Sequence, residues 1–98
     1  MASPPTVRIT DGPAWSVSIA YEESPERRYD FGAELGSRDA LLIIFAPAPE
    51  LWDEQIPWAA GRRDALLASV AAEVVRQRSP GSRFEVTRSG AIIYVRGR

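Results

Sequence analysis

A two-residue alternation of apolar and polar side chains between positions 15 and 35 constrains the fold of this chain more than any other feature. This period is typical of strands with one face on a core. Residues 23–27 interrupt it with Ser, Pro and charged side chains, which favour a chain reversal. The apolar members are Trp15, Val17, Ile19 and Tyr21, and then Tyr29, Phe31, Ala33 and Leu35. The pattern therefore predicts an antiparallel hairpin.

The rest of the chain extends this hairpin into an α+β fold. A short strand is predicted at residues 6–10, strands at 15–22 and 29–35, and an interior strand at the apolar run 40–46. A helix is predicted at residues 58–78 and a final hairpin at 83–88 and 91–96. We expect one domain over residues 1–98, with residues 1–5 as a loose tail and an antiparallel sheet, in the order β-β-β-β-α-β-β, packed on one long helix.

The composition removes much of the usual catalytic chemistry. The chain has no cysteine and no histidine, and all 12 basic residues are arginine. Nucleophilic or acid-base chemistry would therefore depend on carboxylates, tyrosines or hydroxyl groups. The carboxylates cluster at Glu22, Glu23 and Glu26 and at Asp53 and Glu54. Neither cluster has the spacing of a known calcium loop, so we predict no metal and no cofactor, and an enzyme using carboxylates is the weakest functional hypothesis.

Charge is distributed unevenly along the chain. Residues 61–98 carry eight arginines and three acids, whereas residues 1–60 carry four arginines and ten acids. A basic face could bind the phosphates of a nucleic acid. The opposing interpretation is that the two halves pair internally, which the net charge of −1 favours. The candidate nucleic-acid residues are Arg62, Arg76, Arg78, Arg83 and Arg88.

An apolar, proline-rich connection around Trp52, Ile56 and Trp58 is a candidate docking site for a protein partner. The alternative is that its indoles close one end of the core. Arg63 falls within the apolar stripe of the predicted helix. We expect its side chain either to extend past the sheet edge, to pair with Asp30 or Glu34, or to contact a partner.

One helix covers one face of a sheet, yet two of the predicted strands are apolar on both faces. We expect Leu42 and Ile44, with one alternating set of residues 92–95, to face away from the helix. Large exposed apolar patches are uncommon on monomers, so a symmetric dimer is the most economical cover. The N-terminal segment and curvature of the sheet are the alternatives.

These patterns predict a non-enzymatic protein-interaction or assembly module of bacterial type that associates with itself or with a protein partner. Nucleic-acid binding is the alternative. The longest apolar run, residues 40–49, is about half the length of a membrane-spanning helix, and the first residues do not resemble a signal peptide. We therefore expect a cytoplasmic protein without a membrane partner.

Overall fold

The computed structural model of the chain describes residues 4–95. Six strands form one sheet, and two α-helices and a 3₁₀ turn pack on one of its faces. The strands are β1 Thr6–Asp11, β2 Ser16–Ser24, β3 Arg27–Leu35, β4 Ala40–Phe45, β5 Phe84–Thr87 and β6 Gly90–Tyr94. The helices are α1 Pro49–Gln55 and α2 Arg63–Arg78, and the 3₁₀ turn is Pro57–Ala59.

The sheet is antiparallel throughout, with the spatial order β1-β2-β3-β4-β6-β5. The predicted α+β class and the order of the elements are confirmed. The final hairpin lies beside β4, so β1 and β5 form the two edges. Gln77 of α2 donates from Nε2 to the carbonyl oxygen of Val7 at 2.9 Å, which satisfies one backbone group of the β1 edge.

Helix α2 begins five residues later than predicted. Pro57 opens the 3₁₀ turn instead, and Gly61 then adopts φ 75°, a left-handed conformation that interrupts a right-handed helix. The C-terminal end at Arg78 agrees with the prediction, and Pro80 and Gly81 follow it. The connection between β4 and the 3₁₀ turn also contains a short helix, α1, at Pro49–Gln55.

A single core lies between the sheet and the helices. Its strand side uses the alternating residues predicted from the sequence, such as Val17, Ile19 and Phe31, and its helix side centres on Leu67 and Val70. Two of the apolar members lie outside the core: Leu35, the last residue of β3, is 47% exposed, and Trp15, which precedes the start of β2 at Ser16, is 72% exposed. Ala14, with φ 54°, turns the backbone just before it.

Some predicted boundaries fall outside the residues that the structure describes: the tail residues 1–3 and the last residue, 96, of the final predicted strand. Among residues 4–95, neither helix has the length and apolar character needed to span a bilayer.

Candidate functional site

The expected orientation of β4 is wrong. Leu42 is 6% exposed and Ile44 is 1% exposed, and both pack in the core beneath the helices. Ile44 pairs with Ala33 on one side and with Ala91 on the other, and directly paired residues share a face. The run ALLIIFA is apolar at both parities, so its composition does not indicate which set faces inward. Leu42 and Ile44 therefore offer no contact surface.

The odd-numbered residues of β4 form the apolar part of the sheet face that the helices leave uncovered. Ile43 pairs directly with Ile92, and Phe45 pairs with Gly90. Phe45 is 43% exposed because its partner has no side chain to shield the ring. Tyr94 lies two residues after Ile92 on β6 and therefore on the same face, where it extends this patch. We call Ile43, Phe45, Ile92 and Tyr94 the outer stripe.

No helix or further strand among residues 4–95 covers the outer stripe, although the Arg83 guanidinium lies over the ring of Tyr94 at one end of it. Ile43 and Ile92 are half-buried by their strand neighbours, but neither belongs to the group that packs against the core. Acidic residues lie on both sides, since Glu34 pairs with Ile43 and Glu85 pairs with Ile92. The stripe is therefore an apolar band with polar margins, which is the usual layout of a contact surface.

The remainder of this face, on β1 to β3, is polar. Ser16, Ser18 and Gly32 project little from the sheet, and a β-carbon added at Gly32 would meet no atom within 4 Å. Arg8 and Asp30 contribute charges of both signs at exposed positions.

The tryptophan segment closes the core at the end where α2 begins. Trp52 and Ile56 are each 1% exposed, and the indole Nε1 of Trp52 donates to the carbonyl oxygen of Ala59 at 2.9 Å. The Trp52 ring stacks on Phe31 with ring centroids 6.4 Å apart. Half-buried Trp58 stacks on Tyr21. The alternative given above, in which the indoles close the core, accounts for this segment, and burial excludes Trp52 and Ile56 as docking residues.

Arg63 is the first residue of α2 and is 7% exposed. Its guanidinium donates to the carbonyl oxygens of Pro47, Thr87 and Arg88 at 2.7–2.9 Å, and to Asp64 at 2.9 Å. It joins the start of α2 to the end of β4 and to the β5–β6 turn. Pairing with Asp30 or Glu34, one of the alternatives given above, does not occur, because the late start of α2 places Arg63 at the N-terminal end of the helix.

The five arginines proposed for nucleic acid are engaged within the chain. Three of them pair with acids of the N-terminal half, as the internal-pairing interpretation requires, and Arg76 pairs with Glu73 on the same helix. Arg83 lies over the ring of Tyr94, with 4.3 Å from its guanidinium carbon to the ring centre. The three cross-chain pairs are Arg62 with Glu23, Arg78 with Asp11 and Arg88 with Glu50.

Glu23, from the first carboxylate cluster, belongs to a small hydrogen-bonded network that joins buried Tyr21 to exposed Arg62. It accepts two hydrogen bonds from Arg62, at 2.9 and 3.1 Å, and one from the hydroxyl group of Tyr21 at 2.7 Å. These bonds lower the pKa of Glu23 below its usual value. Burial, with the hydrogen bond to Glu23, raises the pKa of Tyr21 far above its usual value. A neutral tyrosine and an ion-paired carboxylate have a structural role here.

In the second carboxylate cluster, Asp53 has a structural role: it accepts a hydrogen bond from the backbone N–H of Gly61 at 3.0 Å. Across residues 4–95 no group of three or more potential ligands is arranged to hold a metal ion.

Comparison of the chain with family models, with curated proteins and with solved structures gives no match.

The outer stripe is the surface that residue-by-residue reasoning missed, although a signal for it was present. The turn between the third and fourth strands has an even number of residues, 36–39, so even-numbered residues of β4 pair with odd-numbered residues of β3. Because the odd set of β3 is the apolar one, Leu42 and Ile44 belong in the core and Ile43 and Phe45 outside.

Proposed function

We propose that this chain is a small protein-interaction module that forms a symmetric dimer through the outer stripe. The observation that carries the proposal is the row in which Ile43 and Ile92 pair side by side, with exposed Phe45 next to it, on the face opposite the helices. Burial of such a row releases water from apolar surface, which is the main driving force of association.

The size of the face supports a dimer. Six strands spaced about 4.8 Å apart span about 25 Å, and strands of this length run about 20 Å. A footprint of roughly 500 Å² in projection, increased by the relief of the side chains, is of the order of the ~800 Å² per partner that a standard interface buries.

Charge supports a second copy as the occupant. The chain has a net charge of −1, so two copies repel each other weakly. The uncovered face carries arginine and carboxylate side chains, for example Arg28 and Asp30, which allows opposite charges to meet across a two-fold axis. Closed two-fold pairs are also the commonest oligomers. The composition is compatible with a bacterial cytoplasm, which is the setting we propose.

The test is the mass of the protein in solution by light scattering across a concentration series. The wild type should approach twice 10.8 kDa at high micromolar concentration. Phe45→Glu should raise the dissociation constant by at least about thirtyfold, as expected for a central apolar anchor. Leu51→Glu is the matched control, because Leu51 is 46% exposed on α1, away from the stripe.

A wild-type mass that stays near 10.8 kDa would contradict the proposal, as would equal effects of the two substitutions.

The nucleic-acid alternative has less support, since Arg62, Arg78 and Arg88 each neutralise an acid of the same chain. Retention of single- or double-stranded nucleic acid on filters at low salt would favour that alternative.

A further inference from the structure

A cleft of about 190 Å³ lies between the sheet and the C-terminal turns of α2. It is on the helix side of the sheet, opposite the outer stripe. Its walls are Leu42 and Ile93 from paired strands and Val74 from the helix, all three of them buried. The walls are therefore apolar and fixed by the surrounding core.

A β-bulge brings a second side chain of β4 into the lining of the cleft. The pairing of β4 with β6 shifts register between Ala40 and Leu42. As a result two consecutive residues, Leu41 and Leu42, both line the cleft, although strict alternation would place Leu41 on the outer face. A bulge bends its strand and changes the direction of a side chain, and bulges are frequent beside binding sites. Leu35 also lines the cleft and is 47% exposed, so it lies at the mouth, where the cleft meets solvent.

The mouth carries one acid and one base. The Nη1 group of Arg78 donates to the two carboxylate oxygens of Asp11 at 3.3 and 3.4 Å. A ligand with a net charge would meet a like charge at this pair or would have to break it. A hydroxyl or amide group can donate to Asp11 and accept from Arg78 while the pair stays intact.

The geometry points to a binding site for a small uncharged ligand with a compact apolar body of about six carbons and one hydroxyl or amide group at the mouth. The volume sets the size of the body, since a group as large as water or a methylene fills about 30 Å³ and a cavity of about 150 Å³ accommodates benzene. The site is independent of self-association, because it lies on the opposite side of the sheet from the outer stripe.

The test uses three probes with the same ring: cyclohexanol, cyclohexanecarboxylate and cyclohexylammonium. Each is titrated into the whole protein while the methyl resonances are followed by NMR. Cyclohexanol should shift the methyl signals of Val74, Leu42 and Ile93 and leave those of Ile56, at the other end of the core, unchanged. It should bind about fivefold more tightly than either charged probe. Cyclopentanol should bind about fourfold more weakly than cyclohexanol, the effect of one methylene.

A variant tests the location of the site. Val75→Trp fills the mouth from the helix and should remove the cyclohexanol shifts, whereas Ala72→Trp, at an exposed position of the same helix, should leave them. The wild-type titrations stand even if the variant does not fold. The proposal is overturned if cyclohexanol moves no methyl signal of the cleft, if a charged probe binds more tightly, or if folded Val75→Trp binds like the wild type.

Discussion

Arg63 is a buried charge held largely by backbone. Three carbonyl oxygens accept its hydrogen bonds: that of Pro47, after β4, that of Thr87, at the end of β5, and that of Arg88, in the β5–β6 turn. Loss of the guanidinium would leave these oxygens without their donor in a place with little water, which costs more than an average hydrogen bond contributes. The role of Arg63 is therefore to hold the start of α2 against the connection after β4 and against the β5–β6 turn.

We expect Arg63→Met to lower the free energy of unfolding by about 3 kcal/mol, measured by urea denaturation. The control is Arg76→Met, which removes an exposed ion pair with Glu73 and should cost less than about 1 kcal/mol. Equal stability of Arg63→Met and the wild type would refute the structural role and make a role in partner binding the better explanation.

Tyr21 makes the free energy of unfolding depend on pH in the alkaline range. The pKa of its hydroxyl group is raised in the folded chain, first by burial and then by the hydrogen bond to Glu23. The unfolded chain loses this proton near pH 10 and the folded chain at a higher pH. The stabilisation is therefore complete below pH 10 and declines as the pH rises above it.

We expect Tyr21→Phe to reduce the decline in the free energy of unfolding between pH 9 and pH 11, measured by urea denaturation at each pH. Tyr94→Phe should change the decline less, because the Tyr94 hydroxyl group is exposed and bonded to exposed Glu85. If Tyr21→Phe keeps the full wild-type decline, burial of the Tyr21 hydroxyl group is not the cause.

At the scale of elements, the contact of β4 with β6 depends on the absence of a side chain at Gly90. Its φ is 144°, and a β-carbon built there would lie 1.8 Å from the carbonyl oxygen of Ile44. The glycine therefore lets the final hairpin lie against β4, which sets the register that aligns Ile92 with Ile43.

Gly90→Ala should lower the free energy of unfolding by at least about 3 kcal/mol, because the clash is with backbone that cannot move without breaking the ladder. Gly32→Ala is the matched control, since its new β-carbon meets open space and alanine is up to about 1 kcal/mol better than glycine inside a strand. Thermal unfolding of both variants measures the contrast, and similar midpoints would contradict the register described here.

The elements with a clear period were predictable from the sequence, and the elements set by tertiary contacts were not. Alternation in β2 and β3 identified their core faces, whereas the uniformly apolar β4 carried no such information of its own. The start of α2 depended on the conformation of Gly61, which composition does not reveal. The cleft arises from a bulge, and a bulge has no signature in this sequence.

The molecule as a whole is a sheet with one face covered by helices and one face uncovered. The idea of an apolar uncovered face came from the sequence, because one helix is too narrow for strands that are apolar on both sides. The residues first assigned to that face, Leu42 and Ile44, are in the core, and their neighbours Ile43 and Phe45 take their place. The apolar contact proposed for self-association therefore lies in the outer stripe.

The most direct measurement is isotope-filtered NMR on an equal mixture of ¹³C-labelled and unlabelled protein. Nuclear Overhauser effects between labelled and unlabelled chains report only contacts that cross from one copy to another. We predict such effects between the Phe45 ring and the methyl groups of Ile43 and Ile92, and none at Leu51. Cross-copy effects confined to another surface, or their complete absence at high micromolar concentration, would contradict the account.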